Sequence, residues 1–310
     1  MTDPMPAAHR SGFVSIVGRP NAGKSTLVNR LVGHKVAITS SRPQTTRRVI
    51  RGILTRPDAQ LVLVDTPGYH RPRTLLGERL NDQVRQAWST VDAIAFCMPA
   101  DQPLGPGDRF IAREVTDLGR TPVVAVVTKV DAVGREVLAQ RLAEIADLAT
   151  ELGIEWASVV PVSAASGENL EVLVDALIAL LPQGPVLYPD GEASDESTDT
   201  AVADLIREAA LEGVQDELPH SIAVVVQEMG LREGRDPDRP LTDVYANLFV
   251  ERDSQKSIII GKGGARLKQV GSKARVGIEA LVGTPVYLDL QVKVAKDWQR
   301  DPKQLRRLGF

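Results

Sequence analysis

The string GRPNAGKST at residues 18–26 follows the apolar run FVSIVG (13–18) and opens an amphipathic stretch near Gly23. No other feature constrains the fold as strongly. It fits G-x-x-x-x-G-K-[ST] in the context where that pattern has a mechanism: a strand, a tight loop, then a helix. Glycines at both ends of the loop let the backbone wrap so that several N–H groups face one anion. The helix N-terminus adds the positive end of its dipole. Lys24 is expected to reach the β- and γ-phosphates of a nucleotide, and the Ser25 hydroxyl to coordinate Mg2+. The candidate phosphate cradle is therefore Gly18, Arg19, Pro20, Asn21, Ala22, Gly23, Lys24, Ser25 and Thr26.

The apolar runs QLVLVD (60–65), DAIAFCM (92–98), PVVAVVT (122–128) and WASVVPVS (156–163) read as further buried strands. Amphipathic segments such as Gly134–Leu152 and Glu168–Leu181 lie between runs. That alternation predicts a doubly wound, mostly parallel α/β sheet. RRVIRGIL (47–54) and QLVLVD are separated only by TRPDA, too little for a helical crossover, so one antiparallel hairpin is expected. Ligand loops in such sheets belong at the C-terminal ends of strands. Those ends carry DTPG (65–68), TKVD (128–131) and VSAASGEN (162–169). Asp65 is placed for the Mg2+ shell, with Thr66 and Pro67 in the same turn and the Gly68 N–H toward the γ-phosphate. The Asp131 carboxylate, in a loop with Thr128 and Lys129, can accept both the N1–H and the exocyclic amine of guanine. Adenine has no such pair of donors. Next to Ser163, the Ala164 N–H can donate to the guanine O6.

A length of 310 residues suggests two domains. The 43% hydrophobic and 25% charged fractions are those of a soluble globular protein. A net charge of −3 predicts no global attraction to nucleic acid, so such binding must come from local patches. The single cysteine, Cys97, excludes an internal disulfide and fits a reducing cytoplasm. No run approaches the roughly 18 apolar residues of a membrane span, and MTDPMPAAHR lacks the apolar stretch of a signal peptide. Four scattered histidines and one cysteine make no zinc-type cluster.

The stretch from Pro182 to Thr200 is rich in Pro, Gly and Ser, and residues 189–200 hold five acids and no base. It reads as a solvated spacer. The expected layout is a flexible N-terminus (1–9), a first domain (10–184), an acidic linker (185–200), a second domain (201–296) and a basic tail helix (297–310). The second domain reads as helix (about Val202–Leu211), strands (Ser221–Met229 and Asp243–Glu251), a glycine loop, helix (about Ala265–Leu281) and strand (Pro285–Val294). That is an α-β-β-α-β arrangement.

IIIGKGGARLKQVG (258–271) holds its glycines in a different spacing from the first loop and lacks Lys-Ser/Thr, so a second nucleotide site is not expected. Read as strand, loop and helix, Gly261, Lys262, Gly263 and Gly264 form the G-x-x-G loop with which a KH module clamps four nucleotides of a single strand. Glycine is needed there because a sugar–phosphate backbone passes over the loop. Residues 252–275 hold seven Lys/Arg against one acid. The candidate nucleic-acid contacts are this loop with Arg266, Lys268, Lys273 and Arg275, and Ile258, Ile259 and Ile260 as groove floor, at least two of the three packing in the core; nothing in these residues separates RNA from DNA. In the tail KDWQRDPKQLRRLGF, Trp298, Leu305 and Leu308 are expected to dock, with Arg300, Arg306 and Arg307 extending the basic patch.

The ordered set GRPNAGKST…QTTRR…DTPG…TKVD…SA resembles the translation-factor-like GTPases, and within them the Era group. A P-loop GTPase domain followed by a type II KH domain is similar to that family across nearly the whole chain. The resemblance implies slow, Mg2+-dependent hydrolysis of GTP to GDP, with Lys24, Thr46, Gly68 and Asn21 as the catalytic set. In the family a first-switch threonine completes the Mg2+ shell. SSRPQTTRR offers Thr45 and Thr46, and Thr46, directly before Arg47, is the match. Some relatives also use K+ held partly by an Asn matching Asn21. The implied partners are GTP/GDP, 16S rRNA near its 3′ end and the 30S ribosomal subunit, with a peripheral membrane-surface contact through the tail, for a monomer in the cytoplasm. Two departures stand out. Thr128 replaces the usual Asn, implying a weakened base or loop contact. Tyr69 stands where Ras-like enzymes carry Gln, which resembles the Era group itself, where a non-Gln residue occupies this place. The basic segment with Lys35, Arg42, Arg47, Arg48 and Arg51 reads either as a solvated switch or as a contact for an anion.

Overall fold

The computed structural model describes residues 9–39, 46–69, 74–117, 119, 121–214 and 218–310. The expected flexible N-terminus other than His9, and Arg42 and Thr45 of the first switch, lie outside them. The chain forms two compact units, the first made mostly of residues up to Asp195 and the second mostly of residues from Glu196 onward.

The first unit runs β1 (Arg10–Val17), α1 (Lys24–Val32), β2 (Ile50–Thr55), β3 (Ala59–Asp65), α2 (Leu75–Trp88), β4 (Ala93–Pro99), α3 (Pro106–Thr116), β5 (Val123–Thr128), α4 (Arg135–Leu152), β6 (Trp156–Pro161) and α5 (Leu170–Ile178). Among the described residues these strands form one six-stranded sheet in the order β2-β3-β1-β4-β5-β6. All pairings are parallel except β2 with β3, where Ile50 faces Asp65 and Thr55 faces Gln60. The central strands are apolar along their length because helices cover both faces; every residue of β3 and β4 is buried. One apolar layer holds Val14, Leu27, Leu63, Cys97 and Leu177, and the other Phe96, Trp88, Ile111 and Ile145. Burial pushes the Cys97 thiol up to about 12, as expected of a core thiol. β1 has β3 on one side and β4 on the other. The loop after β1 therefore sits where the strand order reverses, which is where such sheets hold ligands.

The spacer reading of residues 185–200 is corrected. Leu187 and Tyr188 donate their N–H groups to Gln60 Oε1 at 2.7 and 2.9 Å, the Ile53 N–H donates to Ala193 O at 2.9 Å, and Gly52 bridges Ser194. Arg51 pairs with Asp195 at 2.8 Å. Edge strand β2 has unpaired backbone groups, and Gln60 is wholly buried. Both must find polar partners, and the segment supplies them. Residues 198–200 already belong to the next helix.

The second unit runs α6 (Thr198–Leu211), α7 (Leu218–Ser221), β7 (Ala223–Leu231), β8 (Thr242–Val250), α8 (Asp253–Ile260), α9 (Ala265–Val282), β9 (Val286–Val294) and α10 (Pro302–Arg307). β7 pairs antiparallel and β9 parallel with β8. The expected strand before the glycine loop is instead α8. β-branched isoleucines favour strands by propensity, but here tertiary packing overrides it. Gln255 Oε1 accepts from the N–H groups of Glu251 and Arg252 at 2.9 and 3.1 Å and starts the helix. Ile259 is then wholly buried, Ile260 packs partly against the core and Ile258 is 52% exposed. In the tail, Trp298, Leu305 and Leu308 are buried, and Trp298 Nε1 donates to Ser221 O at 3.0 Å. Among the described residues no helix is long and apolar enough to cross a membrane.

Candidate nucleotide and nucleic-acid sites

The loop after β1 is stitched by its own lysine. Lys24 Nζ donates to the carbonyls of Gly18 and Arg19 at 3.0 and 3.1 Å. Gly18 has φ +153°, and a Cβ there would lie 2.6 Å from Cys97 O. Only glycine lets the loop lie this close to β4. Asn21 is exposed and left-handed at φ +63°, and Ala22 is wholly buried beneath it. Gly23 is the N-cap of α1, so the first-turn N–H groups of Lys24, Ser25 and Thr26 have no helical acceptor and face outward from the helix end. Pro20 packs against Gly68, where a Cβ would come within 3.0 Å of Pro20 Cγ.

Three oxygens converge beside the lysine. Ser25 Oγ donates to Asp65 Oδ2 at 2.7 Å and lies 2.9 Å from Thr46 Oγ1, which is 3.4 Å from the same carboxylate oxygen. Asp65 Oδ1 is buried with no hydrogen-bond partner among the described residues. Burial drives the Lys24 ammonium down and the Asp65 carboxyl up, and the charge of each opposes the shift in the other. Two hydroxyls and an under-coordinated buried carboxylate fit a hard, oxygen-seeking divalent cation such as Mg2+. Among the described residues no group of three His, Cys, Asp or Glu side chains could hold a metal ion, so a cation here would complete its shell with other oxygens, from water or phosphate.

At the other end of the cleft, Ser163 Oγ donates to Asp131 Oδ1 at 2.6 Å, fixing the carboxylate. Lys129 is left-handed at φ +59° and pairs with Asp101 at 3.1 Å. Ser163 is buried and Ala164, half-buried, follows in the same loop. The expected weakening at Thr128 needs correcting for the loop contact: buried Thr128 Oγ1 donates to Ala22 O at 2.7 Å and ties the two loops together. Thr66 Oγ1 donates to Ile16 O at 3.0 Å. Tyr69 points away from this cleft. It stacks on Phe110 at 5.4 Å, lies 4.9 Å from Trp88 and donates to Glu114 at 2.8 Å. Burial and that carboxylate push its phenol up to about 12.

In the second unit the glycine loop joins two helices. Gly261 has φ +73° and ψ 175°, and a Cβ there would be 2.8 Å from Arg266 Cβ. Gly263 and Gly264 have φ +59° and +79° with nothing within 4 Å of an added Cβ, so the crest is open. Lys262 and Lys268 are exposed. Arg266 instead donates to Glu212 O at 2.8 Å and Ala210 O at 3.4 Å, closing the C-terminal end of α6. Lys273 pairs with Glu212, and Arg275 lies 3.9 Å from Glu279. Of these bases Arg266 is turned onto backbone carbonyls, while Lys273 and Arg275 stay exposed beside their carboxylate partners. In the first unit Arg47 is buried, and Arg51 is paired as described. The sequence holds no sign of these commitments, because α6 and α9 meet only in three dimensions.

Residues 13–129 match the profile of a family described as a 50S ribosome-binding GTPase, and residues 217–299 match that of a KH domain. A GTPase Era from a Nocardioides strain is 64% identical over 99% of this chain and 98% of its own length. GTPase Era of Streptomyces coelicolor is also 64% identical, over 99% of this chain and 97% of its own. Among solved structures, Era in complex with MgGDPNP and nucleotides 1506–1542 of 16S ribosomal RNA superposes with a TM-score of 0.91. It is 35% identical over 97% of this chain and 99% of that one. A variant of Aquifex aeolicus Era bound to GDP·AlF4− gives 0.90 at the same identity and coverage. Relatives matched end to end through both units leave one assignment: the chain belongs to the Era family of GTPases.

Proposed function

We propose that this GTPase is an RNA-binding assembly factor for the small (30S) ribosomal subunit. Its KH unit grips single-stranded RNA near the 3′ end of 16S rRNA, and its nucleotide state sets how that unit is presented. The observation that carries the reading is the presence in one chain of the Ser25–Thr46–Asp65 oxygen cluster and an open glycine crest at Gly263 and Gly264. The solved relative bound to MgGDPNP and a 16S rRNA fragment supports the same pairing of ligands. GTP and GDP are bound by the loop from Gly18 to Thr26, by Asp65 through Gly68, and by Thr128, Lys129, Asp131, Ser163 and Ala164. Ser25, Thr46 and Asp65 hold Mg2+, which when bound neutralises charge on the β- and γ-phosphates. Lys24 lies at the same phosphates, and the Gly68 N–H, packed on Pro20, faces the γ-phosphate. With Tyr69 in the core, no side chain at that position orients water, so catalysis rests on positioning and charge. The protein acts as a cytoplasmic monomer, with the tail's exposed bases adding to RNA or membrane-surface contacts.

The test is crosslinking and sequencing of RNA bound in cells, comparing the wild type with a variant of the glycine crest. Enrichment of the 16S 3′ region that disappears in the variant supports the reading; enrichment elsewhere, or enrichment that persists, ends it. Two further outcomes are expected of the G domain. Asp131→Asn replaces an acceptor with an amide that meets guanine's N1–H and amine partly donor to donor. GTP affinity is expected to fall by about 100-fold or more, with xanthosine triphosphate preferred, in a competition binding assay. If Asn21 holds a K+ ion, turnover in KCl exceeds that in NaCl, and Asn21→Ala removes the difference. Equal rates in the two salts would dispose of the K+ role.

A further inference from the structure

We propose that Asp108 is a positioning residue for the nucleotide loop, acting through Arg19. The two halves of Arg19 make separate attachments. Its carbonyl accepts from Lys24 Nζ at 3.1 Å and from the Ala22 N–H at 3.3 Å, so moving residue 19 moves the lysine that meets phosphate. Its guanidinium reaches out of the loop to α3, with Nε 3.5 Å from Asp108 Oδ1.

Asp108 lies in the first turn of α3 and is wholly buried. Its other oxygen, Oδ2, accepts from the Gly105 N–H at 2.9 Å and caps the helix. The cap needs only that oxygen. Asp108 Oδ1 has no hydrogen bond of its own, and Arg19 Nη2 is buried in the same condition. A carboxylate out of water without a full set of hydrogen bonds is costly unless a cation stands beside it. Burial raises the Asp108 pKa, while the Gly105 amide and then the Arg19 charge draw it back down. The pair therefore holds two charges in a place where neither is favourable alone, and one of them belongs to the loop.

The consequence falls on binding. Loop N–H groups contact a nucleotide in the ground and transition states alike, so loosening the loop weakens both to a similar degree. Asp108→Asn tests the pair: it keeps the volume, and its amide oxygen can still accept from Gly105, so the cap is kept while the charge beside Arg19 is lost and an amide N–H group faces the guanidinium in its place. The measurements are the dissociation constant of a fluorescent GDP analogue, KM and kcat for GTP, and the melting temperature.

Nucleotide binding is expected to weaken about tenfold through a faster off-rate, and kcat to stay within about twofold. Arg19→Ala should cost a similar amount, and the double variant no more than either single, because the two act as one unit. Arg19→Lys, which keeps a cation, should fall between the wild type and Arg19→Ala. Wild-type affinity in Asp108→Asn with only a lower melting temperature would overturn the proposal, as would additive losses in the double variant. Should Asp108→Asn fail to fold, the Arg19 variants decide alone: equal, wild-type affinity in Arg19→Ala and Arg19→Lys would refute it.

Discussion

In Lys24→Ala, phosphate release from GTP under single-turnover conditions is expected to fall by about three orders of magnitude. Lys24 Nζ bonds two loop carbonyls and is buried, so its removal loosens the loop as well as taking a positive charge from the phosphates. A second effect follows from Asp65. Burial pushes that carboxyl up, and the Lys24 charge is the strongest influence holding it down. Without the lysine Asp65 takes up a proton more readily, and more Mg2+ should be needed to support nucleotide binding. A Mg2+ titration of nucleotide binding in the variant checks this directly. Turnover close to that of the wild type would mean that the reacting phosphate lies elsewhere.

The second large effect is expected at the glycine crest. In the double variant Lys262→Asp/Gly263→Asp, affinity for a single-stranded RNA should drop by about 100-fold, and the slope of log K against log salt should flatten by about 0.7 for each phosphate that the protein no longer neutralises. GTP hydrolysis should be unchanged. The substitution suits the structure, because position 263 has open space around an added Cβ and Asp tolerates the left-handed region better than most residues. Gly261→Asp is a different experiment. At φ +73° and ψ 175° with Arg266 Cβ 2.8 Å from the new side chain, it should cost about 1–3 kcal/mol of stability from backbone strain alone. Weaker RNA binding there would mix unfolding with damage to the RNA-gripping surface. RNA affinity unchanged in Lys262→Asp/Gly263→Asp would remove the crest from the interface.

Much of the first unit was legible because its signals are local. Near-continuous apolar strands and a short hairpin connection leave few topologies, and the ligand motifs lie at strand ends whose direction the alternation already dictates. The second unit was readable in its three strands, α6 and α9, but not in α7 or α8. The isoleucine run misleads there, because three β-branched residues carry a strand propensity that packing of Ile259 and the Gln255 cap override. The stretch from Gly184 to Asp195 misleads for the opposite reason. Its composition is that of a solvated spacer, yet the buried amide of Gln60 and the open edge of β2 create a demand for hydrogen bonds that no composition displays.

The chemistry is written in short stretches of residues: a loop spacing that wraps phosphate, a carboxylate that suits guanine, and a second glycine loop whose spacing suits a strand backbone. These depend on a few neighbouring residues, and backbone geometry over so short a range follows from residue type. Which charges are paired and which are left to that chemistry is settled by how the elements pack. Arg266 closes the end of α6 through the Glu212 and Ala210 carbonyls, and Lys273 and Arg51 make exposed pairs with Glu212 and Asp195. Arg19 is spent on Asp108, 89 residues away in the chain. An ion pair forms where folding brings two opposite charges within reach, and that meeting is a property of the packed elements rather than of either segment.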